Sequence, residues 1–225
     1  MPGDVFFRQF SEWCEIRQSD SSHTQNSLES VEVSAVPLWL KIAYGAGVPL
    51  IVVVYWRAYG PVNFLWLSDI ALACTAASVL LEIALPASMA AVGVLPLEIA
   101  WCIDFASRGR LLGLSAYMFD PKSLLYLRGI SLFHLAIPPT LVYLLWRLGY
   151  DSRAPLAQGV LTGLTLVTTY WLTDPAKNIN WVFGPGSKPQ YAIPPLIYLT
   201  IEMIAFVTLV LLPMHWVLHS LFHPA

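Results

Sequence analysis

The chain has 225 residues, 57% of them hydrophobic and 13% aromatic, and only 12% charged. Soluble domains carry about 25% charged residues, so composition excludes a water-soluble globular fold: charge this sparse cannot cover so much apolar surface. The formal net charge of −2, with no basic stripe, excludes a nucleic-acid partner. This length holds five to seven spans of about 20 residues. The predicted fold class is all-α: a polytopic transmembrane helix bundle of six spans behind a polar, disordered N-terminal tail.

The tail is predicted over residues 1–34. It holds six acids (Asp4, Glu12, Glu15, Asp20, Glu29 and Glu32) against Arg8 and Arg17, and the polar run Ser-Asp-Ser-Ser-His-Thr-Gln-Asn-Ser at 19–27. Such a stretch cannot bury enough apolar surface to offset the cost of ordering it. No basic segment leads directly into an apolar core, so no cleavable signal peptide is expected. Insertion then relies on the first span of the 35–225 domain.

Six apolar runs follow, near 37–57, 63–83, 86–106, 127–148, 155–173 and 193–221. Each is long enough to cross a hydrocarbon core of about 30 Å. In lipid the backbone must satisfy its own hydrogen bonds, so continuous apolar runs of this length are read as helices. Residues 58–62 make a tight turn with a proline near the next helix start. Residues 84–86 are barely a turn, which predicts an antiparallel hairpin of spans two and three. Residues 107–126 are mildly amphipathic and suit the membrane surface or a re-entrant dip. Residues 149–154 are short, and 174–192 form the longest polar link. Loops one-two, three-four and five-six carry seven Lys and Arg against five on the other side, which favours the odd loops inside. Trp39, Trp56, Trp66, Trp101, Trp146, Trp171, Trp181 and Trp216 lie near span ends, where interfacial anchors belong.

Ionisable residues inside spans are costly, so each is a candidate functional group. Asp69 stands early in span two, after Asn63 and Ser68. Glu98 and Asp104 lie in span three, His134 in span four and Glu202 in span six; Asp174 closes span five. Asp69, Glu98, His134 and Glu202 stand on four helices and are buried most cheaply facing one another. A histidine beside a carboxylate is the usual general-base arrangement. The bland readings are an interfacial Asp104 and Glu82, a histidine that only bonds a neighbouring helix, and threonines on span five bonded to their own i−4 carbonyls. Pro138-Pro139 is expected to kink span four just after His134. Pro194-Pro195 is expected to start span six, and Pro213 to kink or end it.

Cys14, Cys74 and Cys102 form no CxxC pair, so neither a disulfide framework nor a thiolate zinc site is expected. His215, His219 and His223 stack at i, i+4 and i+8. No matching His or Cys pair exists elsewhere, so the stripe is read as a solvent edge rather than a metal site. No cofactor is called for.

The most informative stretch is 173–190, polar and punctuated by Pro and Gly between two apolar runs. Asp174, Asn178 and Asn180 lie there beside Lys177, Trp181 and Phe183. The loop is read as the mouth of a polar site.

Residues 132–146 (LFHLAIPPTLVYLLW) resemble the histidine-bearing helix of the YwaF-like bacterial integral membrane proteins. That family's eukaryotic relatives include membrane acyltransferases and androgen-induced hydrolases of fatty-acid esters. Asn178-Ile179-Asn180-Trp181 and Gly184-Pro185-Gly186-Ser187-Lys188-Pro189 are similar to the loop before its last helix, and the likeness covers 61–215. The resemblance implies a catalytic His134 and a nucleophilic Cys or Thr on another helix. Here the sequence departs: span two offers Ser68 beside Asp69, with Cys74 and Thr75 further in.

The expected function is therefore that of a multi-pass cell-membrane protein, of bacterial inner-membrane type, acting on a lipid or acyl chain. His134, Ser68 and Asp69 would be catalytic, with Glu98, Asp174, Asn178, Asn180 and Glu202 binding substrate. Membrane lipids are the expected partners. The alternative is a non-enzymatic transporter or partner subunit whose buried acids bind a cation or relay protons.

Overall fold

The computed structural model describes residues 34–186 and 188–222. The predicted tail, Cys14 and His223 lie outside the described residues. From Ala35 onward the chain forms one compact unit. Among the described residues it is helical, with no strand.

Helix α1 (Leu38–Tyr59) stops at Gly60, whose φ of 79° is left-handed backbone that glycine adopts freely. A 3-10 turn (Pro61–Leu65) leads into α2 (Leu67–Leu81). Glu82 ends α2 at φ 56°, and only Ile83 separates it from α3 (Ala84–Gly93). Helix α4 (Leu95–Ala106) follows α3 at a bend of 57°. Pro96, in the first turn of α4, has no N–H to continue the ladder from α3. Helices α5 (Leu125–Ser131) and α6 (Phe133–Leu148) run on from each other through Leu132. Helix α7 spans Ala154–Leu172 and α8 Pro195–Phe206. A π-helical turn (Val207–Leu211) then joins α8 to α9 (Leu212–Phe222). Pro195 opens α8 as expected.

Pro213 neither ends the last helix nor breaks it. A π-helical turn stands just before it, where Leu212 N donates to Val207 O. At Pro138-Pro139 the helix assignment of α6 runs on through both prolines, and the break in helix falls at Leu132, before His134.

Among the described residues three helices are long and apolar enough to cross a membrane: Leu38–Tyr59, Leu125–Leu148 and Pro195–Phe222. The bent pair α3–α4 makes a fourth if counted as one span. This is a membrane protein by length and composition. Helix α2, with 15 residues, reaches only about 22 Å at 1.5 Å per residue. Helix α7 has the length but carries Gln158 and four threonines, and it is not among the three.

Helix α3 is the hub. Its small residues Ala87, Ala90, Ala91 and Gly93 are buried, and it packs on α2, α6 and α7. Small side chains let helix backbones approach closely where lipid supplies no hydrophobic drive. At Gly93 the approach is extreme: a Cβ there would stand 2.6 Å from Cγ of buried Gln158. A Gly93→Val variant should lose about 1–3 kcal/mol, the usual cost of overpacking a core. Unfolding by SDS titration in mixed micelles checks this.

Loops gather at two ends. At one, Asn180 bonds the backbone of Leu65 and Leu67, and the Tyr55 hydroxyl meets Ser131 Oγ at 2.6 Å. At the other, Glu82 pairs with Lys41 and accepts from the Ala35 N–H, whose carbonyl takes Arg147 Nε at 2.9 Å. Asp151 N donates to Ser88 Oγ, and Tyr150 N to the Phe222 carbonyl, at that same end.

Candidate functional site

Glu98 and His134 come together inside the bundle, from α4 and α6. His134 Nδ1 lies 2.7 Å from Glu98 Oε2. Glu98 is 2% exposed and His134 9%. Burying a carboxylate and an imidazole is tolerable only when each satisfies the other. The imidazole is held flat between two rings. Trp101 stacks on it with centroids 4.5 Å apart and Phe133 at 4.2 Å, while Trp101 stacks in turn on Phe105. Glu98 and Trp101 are one helical turn apart on α4, so one helix face supplies both the charge partner and the stacking plane.

The His134 backbone carries a consequence of the first proline. Its carbonyl would normally accept from residue 138, but Pro138 has no N–H. Cys102 Sγ donates to that carbonyl at 3.6 Å instead. The thiol on α4 thus satisfies the backbone group that Pro138 frees, one turn from Glu98.

Asp69 is buried on α2, within electrostatic range of Glu98. Asn63 Nδ2 donates to its Oδ2 at 3.1 Å, while its buried Oδ1 has no partner among the described residues. Asn63 in turn lines an open cleft of about 410 Å³ with Tyr59, Val62, Trp66, Lys177 and Ile179. From that cleft the polar groups run inward: Asn63, Asp69, then Glu98 and His134.

The other predicted residues are deployed differently. Ser68 is half-buried next to Asp69, and no hydrogen bond joins it to His134. Asn178 is buried and fully engaged. Its Nδ2 donates to the carbonyls of Gly184, Gly186 and Lys188, and its Oδ1 accepts from Phe183 N at 2.9 Å. Asn180 stitches the loop to the start of α2: Oδ1 accepts from Leu67 N at 3.0 Å and Nδ2 donates to Leu65 O at 2.7 Å. Both asparagines adopt positive φ, at 41° and 53°. That backbone suits asparagine better than most residues. They fix the loop rather than offer free amides to a ligand. Asp174 is exposed and caps its own turn through Ala176 N at 2.8 Å. Glu202 is half-buried on α8 with Oε2 buried and unpartnered, and it makes no hydrogen bond to the dyad.

Asp104 is a helix-end acid, as expected, but a thoroughly used one. Oδ1 accepts from the N–H groups of Leu111, Leu112 and Gly113, and Oδ2 from Ser115 N and Oγ. Every partner is a donor, so the carboxylate acts purely as an acceptor and folds residues 107–115 around itself. Asp104→Asn would turn an NH₂ toward these donors. Limited proteolysis should then cut the 107–124 segment far faster than in the parent protein.

Tyr150 OH meets His215 Nδ1 at 2.9 Å, and His219 packs edge-on to both rings. No group of three potential metal ligands forms among the described residues.

Comparison with family models, with curated proteins and with solved structures finds no match. The functional reading therefore rests on the geometry alone.

Trp101, Phe133 and Cys102 could not be picked out from the sequence as site residues. Trp101 resembles an interfacial anchor, Phe133 a lipid-facing ring and Cys102 a small hydrophobe. The one available signal was the combination of Glu98 and Trp101 at i, i+3 with a proline four residues after His134.

Proposed function

We propose that this chain is a six-span integral membrane protein whose Glu98–His134 dyad is an intramembrane general-base centre acting on a lipid or acyl substrate. The observation that carries the reading is the 2.7 Å contact from Glu98 to His134 Nδ1, with no hydrogen bond at Nε2 from any described residue. A carboxylate on Nδ1 fixes the tautomer and leaves Nε2 as the basic edge. Nε2 would take a proton from water as its oxygen attacks an acyl carbonyl. The same proton would then pass to the departing alkoxide, giving a free acid and an alcohol. Water is favoured over Ser68 as nucleophile because no hydroxyl or thiol is hydrogen-bonded to the imidazole.

The six-span reading is supported by the segregation of loops to two ends. The 58–66, 107–124 and 174–194 links share one end, while 35–37, 82–83 and 149–153 share the other. Helix α2 with its preceding 3-10 turn, the bent α3–α4 pair and α7 supply the three spans beyond the three long apolar helices. Only 11% of the apolar window of Pro195–Phe222 is buried, and 17% of that of Leu38–Tyr59, which suits helices facing lipid. A cell membrane of bacterial type, and the YwaF-like family that residues 61–215 resemble, fit the same picture.

The test is turnover in proteoliposomes of phosphatidylethanolamine and phosphatidylglycerol, with fatty-acid release read by mass spectrometry. His134→Ala should lose about 10²–10⁴-fold, the usual contribution of a general base. A correctly folded His134→Ala protein with full activity would contradict the reading.

One observation favours a second reading, a proton relay or cation site without chemistry: the buried, unpartnered Oδ1 of Asp69. A desolvated acceptor with no donor invites a proton or a cation. That reading predicts pH-driven proton uptake into liposomes that stops in Glu98→Gln, with no lipid turnover in the parent protein.

A further inference from the structure

The open cleft of about 410 Å³ lies where the end of α1, the 3-10 turn and the 173–190 loop meet. Its lining is mixed. Tyr59 and Trp66 are aromatic, Val62 and Ile179 aliphatic, Asn63 a carboxamide and Lys177 a cation. Lys177 makes no ion pair among the described residues. Its backbone is fixed, since Lys177 N donates to Asp174 O at 2.9 Å and Asn178 and Asn180 anchor the residues that follow. The cleft therefore presents an uncompensated ammonium on a rigid turn at a membrane edge.

We infer that this cleft receives the phosphate of a glycerophospholipid, with Lys177 as the anion partner and Tyr59 and Trp66 against the glycerol and first acyl carbons. A cleft of this volume accommodates a head group. Lysine binds phosphate as a point charge. Tyrosine and tryptophan pack best where one side is apolar and the other wet. Asn63 forms the inner wall, and its Nδ2 already donates to Asp69. A lipid anchored here sits at the outer end of the polar run that leads to Glu98 and His134. This inference rests on the membrane-embedded reading above, and not on chemistry at His134.

The full chain in detergent is titrated with dioctanoyl phosphatidylglycerol, with dioctanoylglycerol and with inorganic phosphate, and bound species are counted by native mass spectrometry. The phospholipid should bind, while dioctanoylglycerol, which lacks the phosphate, should bind far more weakly. Lys177→Ala should weaken phospholipid binding about fivefold, the worth of one interfacial lysine. Lys122→Ala, in another loop, should leave it unchanged. An undiminished Lys177→Ala, an equal loss in Lys122→Ala, or equal binding of dioctanoylglycerol would overturn the assignment. Displacement of the lipid by equimolar inorganic phosphate would overturn the lipid half and make free phosphate the ligand. Loss of turnover in His134→Ala with no binding defect in Lys177→Ala would sink this inference alone and leave the general-base reading intact.

Discussion

Asn178→Ala should unfasten the 173–190 loop and cost about 3 kcal/mol of stability, since removing a buried amide strands its partners at roughly 1–3 kcal/mol each where water cannot replace it. Four hydrogen bonds depend on this one carboxamide: three loop carbonyls and the Phe183 N–H. Asn178 also sits at φ 41°, where alanine is strained. The loss propagates, because the neighbouring Asn180 holds the N-terminus of α2, two residues before Asp69. Water reaching the opened carbonyls would recover much of the loss, so an SDS unfolding titration should give a value below the sum of four such penalties. Asn178→Asp, which keeps the acceptor to Phe183 N but removes the donors, should fall close to the alanine variant. A stability within error of the parent protein would show that the loop does not rely on this residue.

Glu98→Gln should lower turnover by about 10²–10⁴-fold while leaving KM nearly unchanged. The carboxamide is the same size and can still accept from Nδ1, so the ring stays between Trp101 and Phe133. What disappears is the negative charge that stabilises an imidazolium formed when Nε2 takes a proton. Burial deepens the effect, because a dipole replaces a charge where the surrounding protein screens little. A fall in apparent substrate affinity at constant kcat would instead mark Glu98 as a binding group. Glu98→Asp, which retracts the charge by one methylene, should recover only part of the rate.

Helicity and membrane character were legible because both depend on local composition: long apolar runs admit little else in lipid. The number of spans was less so. Residues 86–106 read as one continuous run, yet Pro96 and the bend at Val94 divide it into α3 and α4. Residues 155–173 read as apolar, yet their glutamine and threonines turn inward, and Gln158 donates to Thr162 within the core. The pairing of Glu98 with His134 was expected from the cost of isolated charges, although no pattern in the chain specifies two residues that far apart.

The asparagines were the main misjudgement of role. A polar residue in a loop looks the same whether it faces a ligand or its own backbone. Asn178 and Asn180 bind carbonyls and N–H groups, and every residue type supplies those, so their partners leave no trace in the sequence. Cys102 is a similar case. Its partner is a carbonyl freed by Pro138 on another helix, and the proline is legible in the sequence only as a kink in span four. The thiol that meets this carbonyl is placed only by the packing of α4 on α6.

The central claim is that Glu98 and His134 act as one unit at a reacting carbonyl. A double-mutant cycle on fatty-acid release from proteoliposomes tests it most directly, using His134→Ala, Glu98→Gln and the pair. If the carboxylate works only through the imidazole, the double variant is no slower than His134→Ala alone. Independent, multiplying losses, or a His134→Ala protein that releases acid at the parent rate, would contradict the account.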